Sequence, residues 1–177
     1  MLVVEYLKPP SPGEEVVIVE YDEGWPAAYA RQEARIREAL GAAALEVHHV
    51  GSTSVPGLAA KRVIDIALVV ADPADEAAYV PALEAAGFVF HLREPEWYEH
   101  RLFRESEPRV NLHVFGPHCE EVRRMLAFRD HVRRDDADRA LYERSKRELA
   151  RRRWGRVQDY ADAKSDVVAE ILERAVR

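Results

Sequence analysis

The chain has 177 residues, 47% of them hydrophobic, which suits one domain with a sizeable core. Its formal net charge of -6, from 26 lysines and arginines against 32 acids, argues against general nucleic-acid binding while leaving room for local basic patches. A single cysteine, Cys119, excludes an intramolecular disulfide; with no signal-like start and no apolar run of membrane-spanning length, a soluble cytoplasmic protein without a membrane partner is expected.

Residues 1–14 hold Pro9, Pro10, Pro12 and Gly13 and read as a flexible N-terminal arm, with a single domain over 15–177. The β-branched run 16–21 reads as a strand. Asp22 is expected to cap a helix opened by Trp25 and Pro26, which runs to Leu40 and stops at Gly41. A strand over 45–50, a loop over 51–57 with room for one helical turn, and a buried strand over 63–70 follow. Asp72 and Pro73 open a helix over 74–86 that ends at Gly87, and 88–92 returns to extended structure. Segments 101–105 and 109–115, joined through Ser106, Glu107 and Pro108, predict a hairpin.

From Cys119 onward apolar residues recur at helical spacing. Val122, Met125, Leu126 and Phe128 place one helix to residue 133, a second covers 137–152, Gly155 breaks it, and a third spans 158–176. The fold class expected is α+β: a mixed β-sheet flanked by helices, with a helical C-terminal third.

The chemistry concentrates in the segment from His49 to Val70. Gly51 lets backbone approach an anion closely, and Ser52, Thr53 and Ser54 offer hydroxyl and amide donors to phosphate oxygens. Asp65 interrupts an apolar strand, so its carboxylate needs a partner: a salt bridge to Arg62 or Arg101, or a bound ligand. Lys164 falls four residues after Tyr160, on one helix face, where an ammonium and a phenol can meet one ligand. Arg62, Arg101 and Arg129 are further candidates for phosphate contact, since a guanidinium binds it in bidentate fashion. Lys146, set among Arg144, Arg147 and Glu148, reads as part of a solvated helix face, and Trp25, Trp97 and Trp154 as core aromatics able to stack on a base.

The run His-Val-Gly-Ser-Thr-Ser-Val-Pro-Gly-Leu-Ala-Ala-Lys over 49–61, with Val63-Ile64-Asp65-Ile66, resembles the signature of the GrpB family in the nucleotidyltransferase superfamily. His100-Arg101-Leu102-Phe103-Arg104, Asn111-Leu112-His113-Val114-Phe115, Phe128-Arg129-Asp130 and Tyr160-Ala161-Asp162-Ala163-Lys164-Ser165 extend the likeness in the family's order. The resemblance implies a nucleotidyltransferase-like sheet, a Gly51–Ser52 pair that holds terminal phosphates, and a C-terminal lysine that closes over them. A similar domain joined to a dephospho-coenzyme A kinase in some bacteria hints at coenzyme A or nucleotide metabolism.

The superfamily's two-magnesium site implies a second acid two residues past Asp65, where this chain has Ala67, and a third acid on a neighbouring strand, which falls near His113. A single magnesium on Asp65, or another divalent metal such as zinc, manganese or nickel on Asp65, His113 and His49 or His48, is the expected cofactor. Three readings stay open. The chain transfers a nucleotidyl group to a small acceptor, with Asp65 and His113 catalytic; or it is a non-catalytic nucleotide or coenzyme A binding module; or it is a scaffold in which these residues serve stability.

Overall fold

The apolar run Ile64–Val69 forms the strand on which the fold is organised, because its alternate residues face two different environments. The computed structural model describes residues 3–9, 15–155 and 157–175. In chain order the elements are β1 (Glu5–Tyr6), α1 (Trp25–Leu40), β2 (Glu46–Val50), β3 (Ile64–Val69), α2 (Val80–Ala85), β4 (Val89–Glu94), β5 (His100–Ser106), β6 (Arg109–Phe115), α3 (Glu120–Arg134), α4 (Asp136–Ala150), α5 (Val157–Asp162) and α6 (Ser165–Ala175). The sheet runs β1-β4-β5-β6-β3-β2, parallel only between β3 and β6, so it is a mixed sheet in an α+β fold.

Ile64, Ile66 and Leu68 of β3 join Leu112 and Val114 of β6 in the main core, together with Trp25 and Ile36 of α1 and Leu83 of α2. The other face of β3 presents Asp65, Ala67 and Val69, with Asn111, His113 and Phe115 of β6 beside them in register. Val69, Phe115 and Val122 of α3 close one end of that face. The helical third packs on itself through Val132, Tyr142 and Ile171, and it grips Val55 and Leu58 of the loop after β2. That loop is thereby clamped between sheet and helices. No helix among the described residues is long and apolar enough to cross a membrane.

The expected elements appear with five differences. The run 16–21 makes only an isolated bridge, in which Val19 and Ala60 exchange backbone hydrogen bonds of 2.9 Å, and pairs with none of the six strands. Asp22 accepts from the Gly24 amide at 2.8 Å in a turn, and Gly24 is the residue that precedes α1. The expected helix over 74–86 is a short 3₁₀ turn, Glu76–Ala78, followed by α2; Pro81 can start a helix but not continue one, so Tyr79 falls at the junction. The last helix divides at 163–164 into α5 and α6. In the arm, β1 adds to the sheet edge by pairing with β4, and Leu7 donates to the His91 carbonyl at 2.9 Å. Residues 10–14 and 176–177 lie outside the described residues.

Candidate functional site

The segment after β2 turns sharply at Gly51, whose φ of 71° falls in the left-handed region. A Cβ there would stand 2.5 Å from Asp65 Oδ2, so the backbone passes closer to the carboxylate than any side chain permits. Ser52–Ser54 then form one 3₁₀ turn. Thr53 Oγ1 donates to the Val63 carbonyl at 3.0 Å, and Ser54 Oγ donates to the Gly51 carbonyl at 2.5 Å. Arg133 of α3 donates twice to the Ser54 carbonyl, at 3.0 and 2.6 Å. Two of the three hydroxyls are thus consumed in shaping the loop. Ser52 lines the cavity above it.

That cavity, about 270 Å³, has Asp65 in its wall. Asn111 Nδ2 donates to Asp65 Oδ1 at 2.9 Å, and His113 Nε2 lies 4.0 Å from the same oxygen. Burial raises the Asp65 pKa, while the Asn111 hydrogen bond and the ammoniums of Lys61 and Lys164 pull it back down. Lys61, Lys146 and Lys164 all line the cavity, which gathers three of the four lysines in the chain at one place. Lys61 Nζ and Lys164 Nζ stand 5.3 and 4.7 Å from the centre of the Tyr160 ring, an arrangement that suits cation–π attraction. Tyr160 is fully buried, and its hydroxyl has no hydrogen-bond partner among the described residues.

Lys146 corrects the expectation of a solvated helix face. It is 2% exposed, donates to the Ala59 carbonyl, and lies 4.8 Å from the Tyr142 ring centre. Burial, reinforced by the nearby Lys164 charge, lowers its pKa to about 7. The sequence did hold a signal: Asp138, Tyr142 and Lys146 recur every four residues and form the buried stripe of α4.

A second cavity of about 370 Å³ shares Gly51, Ser52, Asp65 and Lys164 with the first and extends toward Phe128 and Leu172. The site therefore has a basic end and an apolar end. Behind His113 runs a line of ring contacts: His113 Nδ1 meets His100 Nε2 at 3.0 Å, and His100 Nδ1 meets Glu94 Oε2 at 2.6 Å. Phe115 stacks on His100 at 4.9 Å and Trp97 meets it edge-on at 5.1 Å.

Gly51, Ser52, Thr53, Asp65, His113, Tyr160 and Lys164 are brought together as expected, with the Thr53 hydroxyl turned to the Val63 carbonyl. The remaining candidates are elsewhere. His49 pairs with Ile66 across the strands and so points to the face opposite Asp65, where it stacks on Tyr29 at 4.6 Å and meets Thr53 Oγ1 at 3.0 Å. Burial, with the charges of Arg133 and Arg129, lowers its pKa to about 4. His48 pairs with Glu46 at 2.8 Å. Arg101 is buried against Glu76 and Glu99, at 2.8 and 3.0 Å. Arg129 braces the loop by donating to the His49 carbonyl at 3.0 Å, and Arg62 is exposed beside a separate cavity. Sequence reasoning passed over Lys61, Asn111 and the Glu94–His100 pair as site residues, although all but Glu94 lie in the segments that carry the family likeness.

The donor set does not fit a two-magnesium centre. Ala67 is fully buried beside His113, and the β6 residue next to Asp65 is the amide Asn111. Glu105 is held by Arg35 at 2.8 Å on the opposite face, and Glu121, at the adjoining cavity, is held by Arg124 at 3.3 Å. Two ammoniums already face the one carboxylate. Among the described residues, the one group of three close potential ligands is His131, Asp135 and Asp138, none of which lines either cavity at Asp65. Asp135 caps α4 there and Asp138 is bound by Arg174 at 2.6 Å, so that group is accounted for by helix packing.

Comparison with known proteins gives the chain its relatives. Residues 15–174 match the family described as GrpB protein. A UPF0157 protein of Halalkalibacterium halodurans is 53% identical over 160 residues, covering 90% of this chain and 82% of that protein. One from Streptomyces coelicolor is 47% identical over 161 residues, covering 91% and 84%. A dephospho-CoA kinase of Mycolicibacterium paratuberculosis is 30% identical over 186 residues, 90% of this chain but 46% of that protein. The crystal structure of the conserved protein GrpB from Enterococcus faecalis superposes with a TM-score of 0.77 at 25% identity, covering 90% of this chain and 96% of the other. On a match that runs nearly the length of the sequence, the chain belongs to the GrpB family.

Proposed function

We propose that the chain, on a nucleotidyltransferase-like fold, binds a phosphate-bearing small molecule of the nucleotide or coenzyme A type in the cavity above Asp65. The observation that carries the reading is the convergence of Lys61, Lys146 and Lys164 on one cavity in a chain that uses arginine nearly everywhere else. Their ammoniums supply the charge that metal ions supply elsewhere, and an arriving phosphate favours the charged form of Lys146 that burial first, and the Lys164 charge second, depress. Gly51 and Ser52 leave backbone and hydroxyl donors at the same wall, and the apolar end near Phe128 and Leu172 receives the organic body of the ligand. The name of the dephospho-CoA kinase relative points the same way for that protein.

A second reading, transfer of a nucleotidyl group to a small acceptor, is favoured by His113 standing 4.0 Å from Asp65 in the same cavity. One experiment tests the ligand on which both readings depend. Thermal unfolding is followed with ATP, CTP and coenzyme A, each with EDTA, with magnesium and with manganese. Stabilisation by at least one of these ligands in EDTA is the expected result. Response to none overturns both readings, and strict dependence on a metal contradicts the role given to the lysines.

A further inference from the structure

We propose that Glu94 and His100 are positioning residues that fix His113 with its Nε2 lone pair facing the cavity, as the acceptor of a proton from a hydroxyl group bound there. The inference rests on the phosphate-pocket reading for what it acts on, and on three side chains joined in series by two short contacts for how. Glu94 Oε2 lies 2.6 Å from His100 Nδ1, a distance that suits a carboxylate accepting the Nδ1–H. His100 is then left with Nε2 as an acceptor, because a neutral imidazole has one donor and one acceptor. At 3.0 Å that nitrogen accepts the Nδ1–H of His113, and the His113 proton is thereby held on the side away from the cavity. Nε2 of His113 is the nitrogen nearer Asp65, 4.0 Å away and beyond hydrogen-bond reach, so a ligand hydroxyl can approach it.

The surroundings favour this arrangement on every side. His100 is 3% exposed between Phe115 and Trp97, so its ring cannot rotate to exchange its nitrogens without disturbing both aromatics. The groups facing His113 are His100 and Arg104 of β5 and Asp65 of β3; burial above all, with the Arg104 charge added, disfavours the protonated ring and keeps His113 neutral at neutral pH. In the transfer itself the O–H bond of the ligand breaks, an Nε2–H bond forms on His113, and the electron pair stays on the ligand oxygen. The Nδ1–H of His113 can pass in the same event to His100 Nε2, which leaves the positive charge on His100 against the Glu94 carboxylate. A hydroxyl-bearing acceptor, or water, is therefore the substrate class at this end of the cavity.

The test is ring-nitrogen NMR on the full chain labelled with ¹⁵N-histidine, at neutral pH in EDTA. His113 and His100 are both expected to carry the proton on Nδ1, with His113 Nε2 at the far-downfield position of an unprotonated nitrogen. In His100→Phe, which keeps an aromatic ring between Phe115 and Trp97, the His113 proton should move toward Nε2. Glu94→Leu, at a partly exposed site more tolerant of change, should move it in the same direction by a smaller amount. Wild-type His113 with its proton on Nε2, or a tautomer indifferent to both changes, overturns this inference and leaves the pocket reading intact. The expected tautomer in a protein that binds no tripolyphosphate overturns the pocket reading, and the acceptor role with it.

Discussion

Gly51 is where conformation and chemistry coincide, since one position needs both a positive φ and the absence of a side chain. Gly51→Ala should cost about 1–3 kcal/mol in urea denaturation, because strained backbone and a 2.5 Å clash with Asp65 add together. Lys146 makes the opposite prediction. Its folded pKa, about 7, lies below the ordinary 10.5, so below pH 7 the buried ammonium weighs on the native state in full, and wild-type stability recovers as pH rises from 7 toward 10.5. Lys146→Met should therefore gain stability relative to wild type, more at pH 6 than at pH 9, while tripolyphosphate affinity falls about tenfold, roughly 1.4 kcal/mol. Denaturation at the two pH values and a binding titration check both halves. Asp65 was legible as a residue in need of partners because a carboxylate in an apolar strand declares it. His49, expected beside Asp65 as a metal ligand, pairs in register with Ile66 and so lies on the opposite face, a relation that depends on strand register rather than on residue type.

Among the elements, the helical third has two tasks: it lends Lys146 and Lys164 to the cavity, and through α3 it holds the loop that opens it. Arg133 never lines either cavity, yet its guanidinium carries the Ser54 carbonyl at 2.6 Å. Arg133→Ala should lower stability by about 1–3 kcal/mol and weaken anion binding without removing any group that touches the anion. Calorimetry on the variant, beside its unfolding curve, would show both effects or refute the brace. Strands β2, β3 and β6 and the hairpin of β5 with β6 could be read from apolar runs and turn residues. The break at 163–164 could not, because nothing in Ala163-Lys164-Ser165 forbids a helix and only tertiary packing decides. The run 16–21 failed for the reverse reason: its β-branched residues favour extended backbone but do not supply a neighbouring strand.

For the molecule as a whole, an acidic protein of net charge -6 encloses a cluster of ammoniums. The composition excludes a nucleic-acid coat but is blind to such a cluster, since three lysines drawn from distant parts of the chain meet only once the sheet and the helical third have assembled. The same assembly explains why the α+β class was legible while the membership of the site was only half so: pattern specifies elements, and register specifies neighbours. Salt should weaken a site built on charge, and metal removal should leave it working. The most direct measurement is calorimetric titration of inorganic tripolyphosphate in EDTA into the wild-type chain and into Lys61→Ala. A single site is expected in the wild type, weakened about tenfold or more in the variant. No binding in the wild type, or equal affinity in the two proteins, would contradict it.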